Sequence, residues 1–319
     1  MSKITVPDVV TLQAGVNPIM PEDPMPEAGR KILLLNLITM LEHQEKLSED
    51  NIMHHVHQMR VATRRIRSAF RVFDDYYQAH ALQPILKGLR KTARALGTAR
   101  DLDVLLANMQ TYQEMLEGDV ANAFKPILEN LEADRQKART KLSKWLNSKS
   151  YARFLNKLVL FVTTAGTNLM TPASKTDPYQ VRHVVPVILH QHLAQVRSFD
   201  SFVETAAPEL LHELRIECKR LRYVLSFFAD NIGTSADDFI EEIKLLQDHL
   251  GRLNDAVVAC ERLSDDDLLS KDQIEALAPY RQTLEEQQTY LMTEFADLWT
   301  HFNTRTVQRK LTDALLVTR

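Results

Sequence analysis

The segment His57-Gln-Met-Arg60-Val-Ala-Thr-Arg64-Arg65-Ile-Arg67-Ser-Ala-Phe70-Arg71-Val-Phe73 carries five arginines and no carboxylate. At about 100° per residue on an α-helix, His57, Arg60, Arg64, Arg67 and Arg71 fall on one stripe, with Arg65 at its flank. Like charges three and four residues apart repel, so such a stripe needs anions from elsewhere. They come either from an external ligand or from carboxylates on neighbouring helices. Guanidinium forks match the oxygens of phosphate and carboxylate, so oxyanion binding is the chemistry these residue types fit. The pattern returns 155 residues later as His212-Glu-Leu-Arg215-Ile-Glu-Cys-Lys219-Arg220-Leu-Arg222-Tyr-Val-Leu225-Ser-Phe-Phe228. His212, Arg215, Lys219 and Arg222 form the second stripe, although Glu213 and Glu217 sit inside this copy. A chain that builds one positive surface twice is expected to set both copies around a single anionic ligand.

Two amphipathic helices must position these stripes. Met59, Ile66, Phe70 and Phe73 gather opposite the first, and Leu214, Leu221, Leu225 and Phe228 opposite the second, giving each helix one core-facing side. The rest of the chain reads the same way. It has 319 residues, only 8 glycines, 45% hydrophobic and 25% charged residues, the profile of an ordinary globular protein. Helical periodicity predicts helices near 28–47, 50–77, 80–96, 100–116, 119–147 and 151–166, then near 181–198, 205–231, 235–250, 254–268, 271–301 and 304–317. Residues 1–27, which hold five of the twelve prolines, read as a flexible leader, and 167–180 as a linker. The organisation expected is a first helical half at 28–166 and a second at 181–319.

The formal charge of −3 conceals segregation: Lys87 to Arg100 holds five basic residues and no acid, whereas Glu261 to Asp297 holds ten acids against three bases. A basic locus within an acidic exterior is expected, with the acidic C-terminal helices a solvated face or a surface for a protein partner. Cys218 and Cys260 lack both a disulfide framework and metal-ligand spacing. No secretory signal is visible, and Ile32 to Leu41 is too short to span a bilayer, so a cytoplasmic protein without a membrane partner is expected.

The repeat continues past the basic helix. Leu96-Gly97 and Arg100-Asp101 match Leu250-Gly251 and Asn254-Asp255 at an offset of 154. Gly97 and Gly251 read as helix C-termini, and Asp101 and Asp255 as capping acids at the start of the next helix. Helix pairs with short loops pack antiparallel, so the fold class expected is all-α, two four-helix-bundle-like halves related by a pseudo-two-fold axis.

With these residues in place, the chain resembles the CHAD domain, the conserved histidine α-helical domain. The resemblance rests on His57-x-x-Arg60-x-x-x-Arg64-Arg65-x-Arg67, on His212-x-x-Arg215-x-x-x-Lys219-Arg220-x-Arg222-Tyr223 and on the two Leu-Gly turns, and covers roughly residues 28–319. It implies two four-helix bundles around a basic central cavity that binds inorganic polyphosphate, and some members of the family localise to polyphosphate granules. The CYTH module that some members carry has an E-x-E-x-K signature; none is found here, so the chain resembles a stand-alone member. The acids of the second copy depart from a uniformly basic pattern.

Polyphosphate is a flexible polyanion with no bases to read, so it calls for many donors and steep salt dependence. The residues expected to bind it are Arg60, Arg64, Arg65, Arg67, Arg71, Arg215, Lys219, Arg220 and Arg222. Lys87, Arg90, Lys91, Arg94 and Lys244 are expected as second contributors, and Arg30, Lys31 and Arg182 at the rim. His57 and His212 head the stripes and serve either ligand or structure. His54, His55 and His57 invite a metal reading, but only His54 and His57 share a face and no acid or Cys completes the set. No metal and no cofactor is therefore expected, and repetition of the motif argues against a phosphorelay histidine. Two rival functions remain. A metal-dependent polyphosphate or nucleotide phosphohydrolase would need acids to hold Mg²⁺, which the basic faces lack, so no enzyme is expected. A single-stranded nucleic-acid binder would need aromatic platforms, and only Tyr223 was placed on a basic face.

Overall fold

The computed structural model describes residues 8–48, 51–115, 118–170, 174, 176–203, 208–263 and 271–316. Every regular element among them is helical, apart from isolated bridges between Pro24 and Gln180 and between Tyr77 and Leu169. The chain forms two compact units, residues 1–104 with 132–184, and residues 105–131 with 185–319. Residues 105–131 thus pack with the second unit although they precede the first unit's last helix in sequence.

The first unit contains α1 (Val9–Gln13), α2 (Met25–Glu45), α3 (Ile52–Phe73), the start of α4 (Ala79–Gln113), the end of α5 (Gly118–Leu146), α6 (Lys149–Thr163) and the first residues of α7 (Val181–Arg197). Its core follows from the sequence pattern. Met59, Ile66, Phe70 and Phe73 of α3 are buried against Leu33, Leu37 and Met40 of α2 and against α6. The Phe70 and Phe161 rings lie 5.7 Å apart. Each such side chain contributes about 1.5–3 kcal/mol on burial. Gly88 lets α4 close onto α6, because a Cβ there would stand 2.2 Å from Phe154. The second unit packs α8 (Pro208–Phe227), α9 (Ser235–Leu263), α10 (Lys271–Phe302) and α11 (Arg305–Leu315) around Leu214, Leu221, Leu225, Phe239, Phe295 and Phe302. A satellite cluster joins Leu106, Met109, Phe124 and Leu128 to Leu277 and Tyr280.

Three expectations are corrected. Residues 8–27 are not a flexible leader. Asp8 caps α1 at Thr11 N, Leu12 is buried, Asp23 pairs with Lys31 at 2.6 Å, and α2 already starts at Met25; residues 1–7 lie outside the described residues. The linker after α6 is tied down in part, with Met170 N donating to Tyr76 O at 2.9 Å and Gln78 N to Asn168 O at 2.8 Å. Gly97 and Gly251 end no helix: α4 and α9 run through them without a break. Asp101 and Asp255 are accordingly mid-helix residues, not caps. Glycine in a helix interior costs up to about 1 kcal/mol against alanine. A Cβ on Gly97 would stand 4.0 Å from Arg60 Nε, and one on Gly251 3.9 Å from Arg215 Nε, ordinary contact distances, so an alanine fits at either position while a longer side chain would meet the arginine of the adjacent helix.

Candidate functional site

In the first unit, Asp101 of α4 accepts from Arg60 Nη2 at 3.4 Å, and the Arg90 charge acts on Arg67. Residue 101 facing 60 and residue 90 facing 67 set α4 antiparallel to α3. The basic stripe therefore lies along a seam to which α4 adds its own cations. The Arg67 guanidinium is pushed below its ordinary pKa by burial first, then by the charges of Arg71 and Arg90. Among the described residues no carboxylate stands within ion-pair distance of Arg67, Arg71, Arg90 or Arg94. Arg60 does face one, and its half-exposed pair with Asp101 is worth at most about 1 kcal/mol. Arg65 leaves the stripe, its Nε donating to the buried Asn36 Oδ1 at 2.8 Å. His57, at the head of the stripe, is pushed below its ordinary pKa by burial, then by Arg100, Arg64 and Arg60. Its Nδ1 is buried with no hydrogen-bond partner among the described residues. The ring is thus neutral near pH 7 and takes a proton most readily when an anion offsets those guanidinium groups.

In the second unit the matching sequence positions meet different partners. His212 Nδ1 contacts Asn254 Oδ1, and Arg222 Nε donates to Gln247 Oε1 at 2.7 Å. Here, however, acids of the same helices occupy cations. Arg220 pairs with Glu217, and Lys244 with Glu241 at 3.1 Å. A pocket of about 370 Å³ at the head of this stripe is lined by Glu209, Glu213 and Glu261 beside His212 and Asn254, a setting that repels a polyanion. Tyr223 is not on the basic face: it is buried and stacked on Phe227.

The family model for the CHAD domain matches residues 31–264, more than two thirds of the chain and both stripes with their partner helices. The protein belongs to the CHAD domain family.

Two uncharacterized proteins of Mycobacterium tuberculosis, from two strains, are each 29% identical to this CHAD chain over 212 residues. Those residues are 65% of this chain but 39% of each relative, so the match spans well under half of their length. Among solved structures, the CHAD domain from the plant Ricinus communis aligns with a TM-score of 0.63 at 22% identity, covering 93% of this chain and 94% of that one. PptA from Streptomyces chartreusis aligns with a TM-score of 0.67 at 12% identity, covering 87% and 100%. Both show the fold. The match to the CHAD family ends before α10, so α10 and α11 are read from their packing alone: they close the core behind α9.

Within this CHAD chain the expected site residues separate into groups. Arg60, Arg64, Arg67 and Arg71 share the stripe with Arg90 across the seam. Lys87 and Lys91 turn away, lining a separate pocket of about 290 Å³ with Trp145, Arg153, Phe154 and Lys157. Lys91 Nζ sits 5.4 Å from the Trp145 ring centroid. Arg94 is exposed on α4, between Arg90 and Gly97 in sequence. The expected rim cations are corrected. Arg30 is held by Glu27 and donates to Val162 O at 2.7 Å, Lys31 is held by Asp23, and Arg182 faces Glu22 at 3.6 Å. They tie the amino-terminal residues and α7 to the first unit. Sequence reasoning missed Arg100 as a neighbour of His57. The signal is present, since Arg100 belongs to the repeated Leu-Gly-x-x-(Arg/Asn)-Asp pattern, but that pattern reads as a turn in sequence. Cys218 is fully buried and burial pushes its thiol pKa up, a structural residue. Among the described residues no helix is long and apolar enough to cross a membrane.

Proposed function

We propose that this CHAD protein binds inorganic polyphosphate, without transforming it, along the Arg60, Arg64, Arg67 and Arg71 face of α3 with Arg90 and Arg94 of α4. One observation carries the reading: Arg67, Arg71 and Arg90 converge with no carboxylate in reach among the described residues, and burial already works against the charge of Arg67. Such an arrangement is internally repulsive and becomes favourable when a chain of phosphates supplies one negative charge per unit. His57 is the group that takes up a proton as the polymer binds. The second stripe is the weaker contact, because Glu217 already holds the neighbouring Arg220, Glu241 holds Lys244 of α9, and Glu209 and Glu213 stand at its head. A polymer long enough to engage both gains avidity. Association with polyphosphate granules in the cytoplasm would follow from this affinity.

Burial of Tyr223 removes the one aromatic residue that a nucleic-acid reading had relied on. Competition decides between the ligands: labelled long-chain polyphosphate is displaced by unlabelled polyphosphate at a hundredfold lower concentration than by single-stranded DNA of equal charge. Equal displacement would make this a general polyanion binder. Phosphate release from polyphosphate with Mg²⁺ or Mn²⁺, abolished by a stripe substitution, would make the protein an enzyme.

A further inference from the structure

Three imidazoles meet where α2 hands over to α3. His43 lies in the last turn of α2, and His54 and His55 in the first turn of α3. Asn51 precedes α3 in the left-handed conformation, φ 69°, which asparagine tolerates better than most residues; it helps reverse the chain and bring the two helix ends together. One ring nitrogen from each histidine lies within 4.8 Å of the other two. His43 Nδ1 and His55 Nδ1 are 3.0 Å apart, and the three ring centroids are 5.2 to 5.7 Å from one another. Among the described residues, the ring nitrogens of His43 and His55 have only each other as hydrogen-bond partners, and those of His54 have none.

Three converging lone pairs without a carboxylate or carbonyl to receive their protons form a poor hydrogen-bond network but a good ligand set. Nitrogens bound at 2.0–2.1 Å to a tetrahedral zinc ion stand about 3.4 Å apart, within the range these atoms already span. Imidazole nitrogen selects borderline first-row dications over Mg²⁺ or Ca²⁺, and three protein ligands leave one coordination position open. The sequence hid this set because His43 is far from the other two in the chain and His57, the histidine nearest to them in sequence, belongs to the arginine stripe.

We propose that His43, His54 and His55 bind a transition-metal dication, zinc by preference, with one open coordination position, and that the ion clamps the α2–α3 junction next to the head of the arginine stripe. The site stands apart from the polyphosphate reading and needs no phosphate ligand. His54 is nevertheless close enough to act electrostatically on His57, so a bound dication would add positive charge beside the stripe.

The test uses the full chain, stripped with chelator and titrated with Co²⁺ and, separately, with Zn²⁺ against a competing chelator. The expected result is one ion per chain, intense visible bands of four-coordinate Co²⁺, and a loss of about 100-fold or more in affinity for His43→Asn and for His55→Asn. That loss is at least what removal of an outer-shell partner of a metal ligand costs. His57→Gln should bind as wild type, and circular dichroism should report all variants as folded. The proposal is overturned by the absence of Co²⁺ bands in folded wild type, by binding that His43→Asn and His55→Asn leave unchanged, or by an equal loss in His57→Gln. Should the asparagine variants unfold, bands present in wild type and lost in the folded single variant His54→Gln decide for the site; bands retained there decide against it.

Discussion

Removing one guanidinium from the first stripe should make the free protein more stable and the complex weaker. Arg67 is the residue to change. Its charge is half-buried and faces Arg71 four residues on and Arg90 across the seam, with no carboxylate in reach among the described residues. A like-charge pair at i,i+4 costs about 0.2–0.5 kcal/mol. The Arg90 pair adds a similar amount after solvent screening, and desolvation of the guanidinium adds to both. The sum is about 1 kcal/mol. Arg67→Met retains an unbranched stem to cover the same apolar surface while deleting the charge. Without ligand, its melting temperature should rise by about 2–4 °C, the shift expected for a unit of this size. Arg67→Lys keeps the charge and should melt within a degree of wild type. With long-chain polyphosphate the order reverses: the methionine variant should bind about 5- to 10-fold more weakly, equivalent to roughly 1 kcal/mol for one half-exposed charge-assisted contact. Thermal unfolding by circular dichroism and calorimetric titration on the same preparations give both numbers. A methionine variant that melts below wild type would refute the reasoning, because it would mean that Arg67 is neutralised within the protein.

Three further outcomes are expected. Gly97→Ala should stabilise the chain by about 0.5–1 kcal/mol in thermal unfolding, whereas Gly97→Leu, whose side chain enters the space of Arg60, should lower polyphosphate affinity about fivefold; equal binding by both would separate the glycine from the stripe. Gly88→Ala should destabilise by about 1–3 kcal/mol through overpacking against Phe154, read from denaturant midpoints, and a neutral result would contradict the closeness of α4 and α6. The pKa of His57 is depressed by burial and then by Arg100, Arg64 and Arg60 in the folded chain, so the unfolded chain binds the extra proton first; this residue's share of stability is fully present above pH about 6.5 and is lost as pH falls from there through the lower folded-state pKa. A bound polyanion raises the same pKa, so affinity should increase from pH 7.5 to pH 6 with proton uptake seen in buffer-dependent heats, and His57→Gln should flatten that profile.

The helical class, the core faces of α3 and α8 and the identity of the arginine stripe were legible because each rests on a local period. Phe70, Phe73, Leu221 and Leu225 are buried as their spacing demands. What the sequence concealed lies in contacts between distant segments. Gly97 and Gly251 look like helix ends until the arginine beside each is known. Arg30 and Lys31 look like ligand-facing cations until Glu27 and Asp23 are seen to hold them. Lys87 and Lys91 share a sequence cluster with Arg90 and Arg94, yet they line a different pocket beside Trp145, a distinction of tens of degrees around α4. The histidine cluster was concealed for the same reason, since no local period links His43 to His54.

The most direct test of the central claim is polyphosphate affinity measured across a salt series for wild type, Arg64→Gln/Arg67→Gln and Lys219→Gln/Arg222→Gln. The account predicts steep salt dependence in wild type. It predicts that the first double variant loses affinity about 50-fold, with a slope of log K against log salt shallower by about 1.4, at roughly 0.7 per phosphate contact. The second double variant should lose less than fivefold. Salt-independent binding by wild type, or equal losses from the two stripes, would contradict it.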